Sequence, residues 1–228
     1  MTIGKNFVAP ALPNPSAVYD GLQQNQLNRA LRLYFNRLDQ YIADTILDAL
    51  NGGIGGNGIT FPHIAASDST DQVATGNNTP TIVTWNTLDS GYLWTLSPPG
   101  TATADVAGVY TIRYSLQFIN TSNDSHDAAV WLKVNGTDVA NTTTIFTIPA
   151  RKSTGAPSYF AGYSEATFEV SANDTIALYW ATDLAGNPTT PTDGVYMFHD
   201  TAQVSPYARP AVPSAIGSIS YVSALSPA

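Results

Sequence analysis

Two periodicities divide the chain. Between residues 20 and 50 apolar side chains recur every three or four positions, at Leu27, Leu31, Tyr34, Phe35, Leu38, Tyr41, Ile42, Ile46 and Leu50, the spacing that lines one face of an α-helix. From Ile59 onward the period falls to two. Tyr110, Ile112, Tyr114, Leu116 and Phe118 alternate with Thr111, Arg113, Ser115 and Gln117, the mark of a strand with one buried face. Val130, Leu132 and Val134 repeat the device. Asn135-Gly136 then supplies a tight turn before a run from Asp138 to Ile148 returns, a hairpin by its turn chemistry. Further strands are expected over 81–85, 92–96, 166–170, 175–181, 195–199 and 215–222, with Ser171-Ala172-Asn173-Asp174 as one of the turns between them.

The helix has clear ends. Asp20 can cap its N-terminus and Asn51-Gly52-Gly53 stops it, since a carboxylate satisfies free N–H groups and glycine adopts the left-handed closing conformation. About 29 residues at roughly 1.5 Å each make a rod on the order of 43 Å, which calls for a partner. Phe35, Leu38, Ile42, Thr45 and Ala49 fit alternating a and d positions of a heptad, but Gln24 and Asn28 occupy the upstream seam. The stripe is also wider than a two-stranded coil needs, which favours three strands or docking on another protein.

Before the helix, Pro10, Pro13 and Pro15 hold residues 1–19 extended. Phe7, Leu12 and Tyr19 are the apolar anchors of such a docking arm. After the helix, 51–58 reads NGGIGGNG, a flexible joint. No Lys-Ser or Lys-Thr follows it to make a phosphate loop. The expected organisation is therefore an arm (1–19), an oligomerisation or attachment helix (20–50), a glycine-rich linker (51–58) and a β domain (59–228). Eight or more short antiparallel strands with no second helical pattern imply a mainly β chain: an antiparallel jelly-roll β-sandwich preceded by one long N-terminal helix and an extended arm.

Composition narrows the function. The 228 residues contain no Cys, which removes disulfides and thiolate metal sites. The net charge of −8 falls wholly after residue 58, where five basic residues face thirteen acidic ones. That balance argues against nucleic acid, whose phosphates need Lys and Arg. No segment is apolar enough for membrane insertion. The first residues do not resemble a signal peptide, so synthesis and assembly in the cytoplasm are expected.

Candidate chemistry is sparse. Three His and two Glu form no catalytic or zinc motif, and Ser90, Ser125 and Ser164 lack a nucleophile-elbow context. The chain is read as a non-enzyme without cofactor or metal. In TSNDSHD, residues Asn123, Asp124, His126 and Asp127 read first as a polar loop, suited to contacting a receptor, and second as oxygen donors for Ca²⁺. The loops 153–158 and 184–193 are similarly long and polar. Trp131 is out of phase with Val130, Leu132 and Val134, so it faces solvent or fills a subunit interface, and the cost of an exposed indole favours the interface.

Two resemblances add to this. AGVYTIRYSLQF at 107–118, VWLKVNG at 130–136 and FEVSANDTIALYW at 168–180 resemble, in order and spacing, the globular heads of complement-type and tumour-necrosis-factor-like proteins; the resemblance implies a compact homotrimer. LPNPSAVYDGLQQNQLNRALRLYFNRLDQYIAD at 12–44 is similar to the Pro-Asn-Pro arm and Leu-Asn-Arg-x-Leu-x-x-Tyr-Phe helix of virion structural proteins of tailed bacteriophages, particularly marine ones. It implies attachment to other virion proteins of the tail, the portal-proximal region or the capsid, location in the virion, and a tail, fibre or head-decoration role. A host surface receptor, glycan or protein, is the alternative partner.

Overall fold

The computed structural model describes residues 21–50, 61–190 and 192–225, with the side chains of 21–23, 26 and 40–50 outside that description. The arm residues Phe7, Leu12 and Tyr19, the Asp20 cap, the linker 51–58 and the side chains of Tyr41, Ile42 and Ile46 therefore lie outside the described residues. The chain divides into two compact units, Met1–Thr60 and Phe61–Ala228.

In the first unit, α1 spans Gly21–Leu50 without interruption. Leu27, Leu31, Tyr34 and Leu38 are half-exposed. Phe35 is 54% exposed, and so, at 55%, is Leu33, which falls outside the expected stripe.

The second unit is a sandwich of two antiparallel sheets. Its strands are β1 (His63–Asp68), β2 (Thr81–Ile82), β3 (Thr87–Tyr92), β4 (Trp94–Ser97), β5 (Thr101–Ala104), β6 (Gly108–Asn120), β7 (His126–Val134), β8 (Thr137–Asp138), β9 (Thr144–Ile148), β10 (Ser158–Val170), β11 (Thr175–Thr182), β12 (Val195–Met197) and β13 (Ala215–Ser223). One sheet runs β10-β6-β13-β1-β3, with β12 also on β6; the other runs β4-β5-β11-β7-β8, with β2 on β11 and β9 on β7. Successive strands repeatedly change sheet, from β5 to β6, β6 to β7, β9 to β10 and β10 to β11. This is the jelly-roll course.

The expected alternation builds the core. Tyr110, Ile112, Tyr114, Leu116 and Phe118 of β6 all turn inward and are at most 5% exposed. They meet Ile176, Leu178 and Trp180 of β11, with the Phe118 and Trp180 rings 5.9 Å apart. Each such side chain contributes roughly 1.5–3 kcal/mol by leaving water. Trp85 fills the core beneath β13 because Gly217 stands over it: a Cβ there would lie 2.7 Å from the indole.

Several boundaries differ from the sequence expectation, each for a local reason. The run 92–96 is broken by Leu93, whose φ of 57° ends β3 in one sheet and starts β4 in the other. The return after Asn135-Gly136 is split into β8 and β9. There the Leu132 N–H donates to Thr142 Oγ1, and that hydroxyl donates to the Val139 carbonyl, so a side chain replaces a rung of the ladder. The turn itself has φ of 50° and 77° at Asn135 and Gly136, the two positive values of a type I′ hairpin. β10 begins at Ser158 rather than Ala166. Its first half carries Gly162, where the Phe146 ring leaves no space for a Cβ (3.0 Å). β1, β3 and β5 are too short or too polar to show in the pattern.

Candidate functional site

Two of the loops singled out from sequence, 122–127 and 184–193, are joined at one end of the sandwich by Arg151, just before the third. The β6–β7 loop is held from below by Asn120, wholly buried. Its amide donates to the carbonyls of Asp124, Ile148 and Pro149 at 2.9, 3.3 and 3.0 Å, and its Oδ1 accepts the Ser122 N–H at 2.8 Å. A buried amide with all its bonds made fixes the loop above it.

On that support, Arg151 clamps three loops. Its N–H donates to the Ser122 carbonyl at 2.9 Å, its Nε to Asn123 Oδ1 at 2.9 Å and its Nη1 to Asp193 Oδ1 at 3.1 Å. His126, at the start of β7, stands between Ser122 Oγ (3.1 Å from Nε2) and Asp183 Oδ2 (3.0 Å from Nδ1). Asp183 Oδ1 accepts the Asp127 N–H at 3.1 Å, and Asp127 Oδ1 accepts the Thr147 hydroxyl at 2.7 Å. Partial burial pushes the Asp183 carboxyl up, but the hydrogen bond from His126, the Asp127 N–H and the His126 charge together hold it below its ordinary value.

Asn123, Asp124, His126 and Asp127 are thus brought together, Asn123 held by Arg151 and the others tied through Ser122 and Asp183. Among the described residues no group of three or more His, Asp or Glu side chains is disposed to hold a metal ion. Ser122 and Asp193, at the ends of loops expected from sequence, and Arg151 and Asp183, which were not singled out, complete the cluster. Asp183 is 57 residues from His126 and reaches it only because β11 runs antiparallel beside β7, pairing Thr182 with Ala128. Beneath the sheets, a cavity of about 30 Å³ beside Trp85, lined by Ile112, Ile176, Leu178 and Ile219, is water-sized and too small for an organic ligand.

Two further surfaces carry exposed aromatic or apolar groups. On the outer face of the six-stranded sheet, register aligns Tyr163, Ser115, Ile216 and Ser67 in one row across β10, β6, β13 and β1. The next row is Glu165, Arg113, Ser218 and Ala65. Tyr159, Tyr163 and Ile216 are 61%, 60% and 47% exposed, amid Ser, Thr and Ala. Arg113 pairs with Glu165 there at 3.0 Å, and Glu169 and Asp89 are exposed toward the two edges of the same face. On the opposite sheet Trp131 is half-buried by its own chain. Its Nε1 donates to Asp138 Oδ1 at 2.6 Å and its ring tilts against Tyr179, 6.3 Å away, with Lys133 over the Tyr179 ring.

Among the described residues no helix is long and apolar enough to cross a membrane. No family model and no curated protein matches the sequence. Among solved structures, the crystal structure of murine APRIL at pH 5.0, a jelly-roll protein of the tumour-necrosis-factor family, aligns with a TM-score of 0.42 and 13% identity over 71% of this chain and 99% of that one. A likeness so distant does not speak to function.

Proposed function

We propose that this chain is a virion structural protein of a tailed bacteriophage, a homotrimer anchored by its first 50 residues to other virion proteins of the tail, portal-proximal region or capsid. The sandwich is then its tail, fibre or head-decoration part. The observation that carries the reading is the exposure of Leu33 and Phe35 on a helix whose stripe of Leu27, Leu31, Tyr34 and Leu38 is only half-covered. A helix gains most of its stability by burying an apolar face, so these side chains call for other chains. The similarity of residues 12–44 to phage virion arms and helices supports what those chains are.

Copies of the sandwich meet through the outer face of the six-stranded sheet. Small residues in its central strands allow close approach, and its central charges, Arg113 and Glu165, are paired with each other, while the exposed Glu169 and Asp89 lie toward its edges on β10 and β3. Trp131 is already packed on Tyr179 and Asp138, which makes the six-stranded sheet the better-supported contact between copies. Deleting residues 1–50 tests the anchoring: the remaining sandwich should fold and should not join particles when co-expressed with the other virion proteins. Incorporation at the full-length level would refute it.

The joining of the 122–127 and 184–193 loops through Arg151 and Asp183, beside the 153–158 loop, supports a second role for the same unit, recognition of a host surface glycan or protein. Binding of the isolated sandwich to host cells would establish it, and an Arg151→Ala variant that bound as well as the parent would remove these loops from consideration.

A further inference from the structure

Ser122, His126 and Asp183 stand in the relation of nucleophile, base and orienting carboxylate, and we propose that Ser122 is an acylatable nucleophile through which this protein cleaves small neutral acyl esters. This departs from the expectation of a non-enzyme, which rested on the lack of any sequence motif. Such triads are recognised by geometry and roles rather than by motif or chain order.

The hydrogen-bond directions follow from the neighbours. Ser122 Oγ accepts the Asp124 N–H at 3.3 Å, which leaves the hydroxyl proton to point at His126 Nε2, 3.1 Å away. Asp183 is held ionised, so Nδ1 carries the proton that bridges the 3.0 Å to Oδ2. Its other oxygen is fixed by the Asp127 N–H. The imidazole is therefore in the tautomer a general base requires, with its side chain only 14% exposed. The serine loop is pinned beneath by Asn120 and at the Ser122 carbonyl by Arg151, so the arrangement is held before any substrate arrives. The backbone N–H of Asn123, the residue after the serine, has no acceptor among the described residues, the place of one oxyanion-hole donor. Arg151 fixes the Asn123 side chain, its own charge paired with Asp193.

In the reaction, Ser122 Oγ bonds to the ester carbonyl carbon as its proton passes to His126 Nε2. The bond to the leaving alcohol breaks, that alcohol takes the proton from Nε2, and the acyl group stays on Ser122. Water then attacks in the same manner, its proton going to Nε2 and on to Ser122 Oγ as the free acid departs. Ser122 is only 8% exposed, which favours small acyl groups over bulky ones. The surrounding Asp124, Asp127, Asp183 and Asp193 disfavour anionic substrates.

The test is covalent labelling of the full chain with a small neutral alkyl fluorophosphonate, in which Ser122 Oγ displaces fluoride from phosphorus. Tandem mass spectrometry of the tryptic peptide 114–133 separates Ser122 from Ser115 and Ser125. We expect a single adduct on Ser122, absent in Ser122→Ala and slowed about 100-fold or more in His126→Gln. The position of the wild-type adduct needs no variant to fold. No adduct on Ser122, an adduct elsewhere, or a folded His126→Gln that reacts as fast as wild type would each overturn the proposal.

Discussion

Replacing Asp68 by alanine should remove about 3 kcal/mol from the sandwich. Asp68 closes β1 and is 1% exposed. Its Oδ1 accepts the Thr70 N–H at 2.8 Å, the Thr70 hydroxyl at 2.6 Å and Asn86 Nδ2 at 3.1 Å, and its Oδ2 accepts the Thr84 hydroxyl at 2.7 Å. The two hydroxyls can rotate to other acceptors, whereas the Thr70 amide and the Asn86 side chain, on exposed residues at the rim of the site, lose their buried acceptor. At about 1–3 kcal/mol for each buried donor left without an acceptor, the loss is roughly 2–6 kcal/mol, and partial access of water to Thr70 and Asn86 favours the lower half of that range. For a domain of this size 1 kcal/mol corresponds to about 2–4 °C, so Tm should fall by roughly 6–12 °C. Asparagine keeps an acceptor for the Thr70 amide and offers its own amide to Thr84, so Asp68→Asn should lose less than half as much. Urea denaturation followed by tryptophan fluorescence reads the sandwich alone, because Trp85, Trp94, Trp131 and Trp180 all lie in it. A loss under 1 kcal/mol in Asp68→Ala, or equal losses in the two variants, would refute the assignment of Asp68 as the hub joining β1 to the segment after β2.

Asp183 sets an acid limit. Its carboxyl is lowered from 3.8 on folding, so its stabilisation is present in full above about pH 4 and is lost as pH falls through the lowered value. Asp183→Asn should therefore show a shallower fall in Tm between pH 5 and pH 2.5 than wild type, and parallel curves would remove the His126–Asp183 pair as its cause. On the outer sheet face, Ile216→Arg should convert the proposed trimer to monomer in sedimentation experiments without unfolding the sandwich, since the side chain is already half-exposed in the single chain. An unchanged oligomeric mass would place the contact between copies elsewhere.

The sandwich was legible where packing and local chemistry agree. Tyr110 to Phe118 alternate because β6 is central and half its side chains meet the opposite sheet, and Asn135-Gly136 announces its turn because few other pairs tolerate two positive φ values. What was not legible depended on distant neighbours. Leu93 is an ordinary apolar residue until its left-handed backbone sends Tyr92 and Trp94 to different sheets. Asp68 reads as a surface carboxylate until four donors converge on it. Ser122 passes as a loop serine because its chemistry is conferred by Asp183, brought across by the β7–β11 pairing.

That same pairing changes what the polar loops are. In sequence they look unconstrained, the composition of segments that order only on binding. In the fold, Asn120, Arg151 and the His126–Asp183 bond tie them to one another and to the strand ends, so a ligand would meet a surface whose ordering entropy was lost during folding. A stiff loop end gives affinity to a receptor site and alignment to a nucleophile by the same means. The outer face of the six-stranded sheet has the opposite character, with small side chains, a paired Arg113 and Glu165 at its centre and aromatic groups left uncovered, and that suits it to a second copy of itself. One unit can then assemble through a sheet face while presenting its loops, because the residues serving each purpose are not shared.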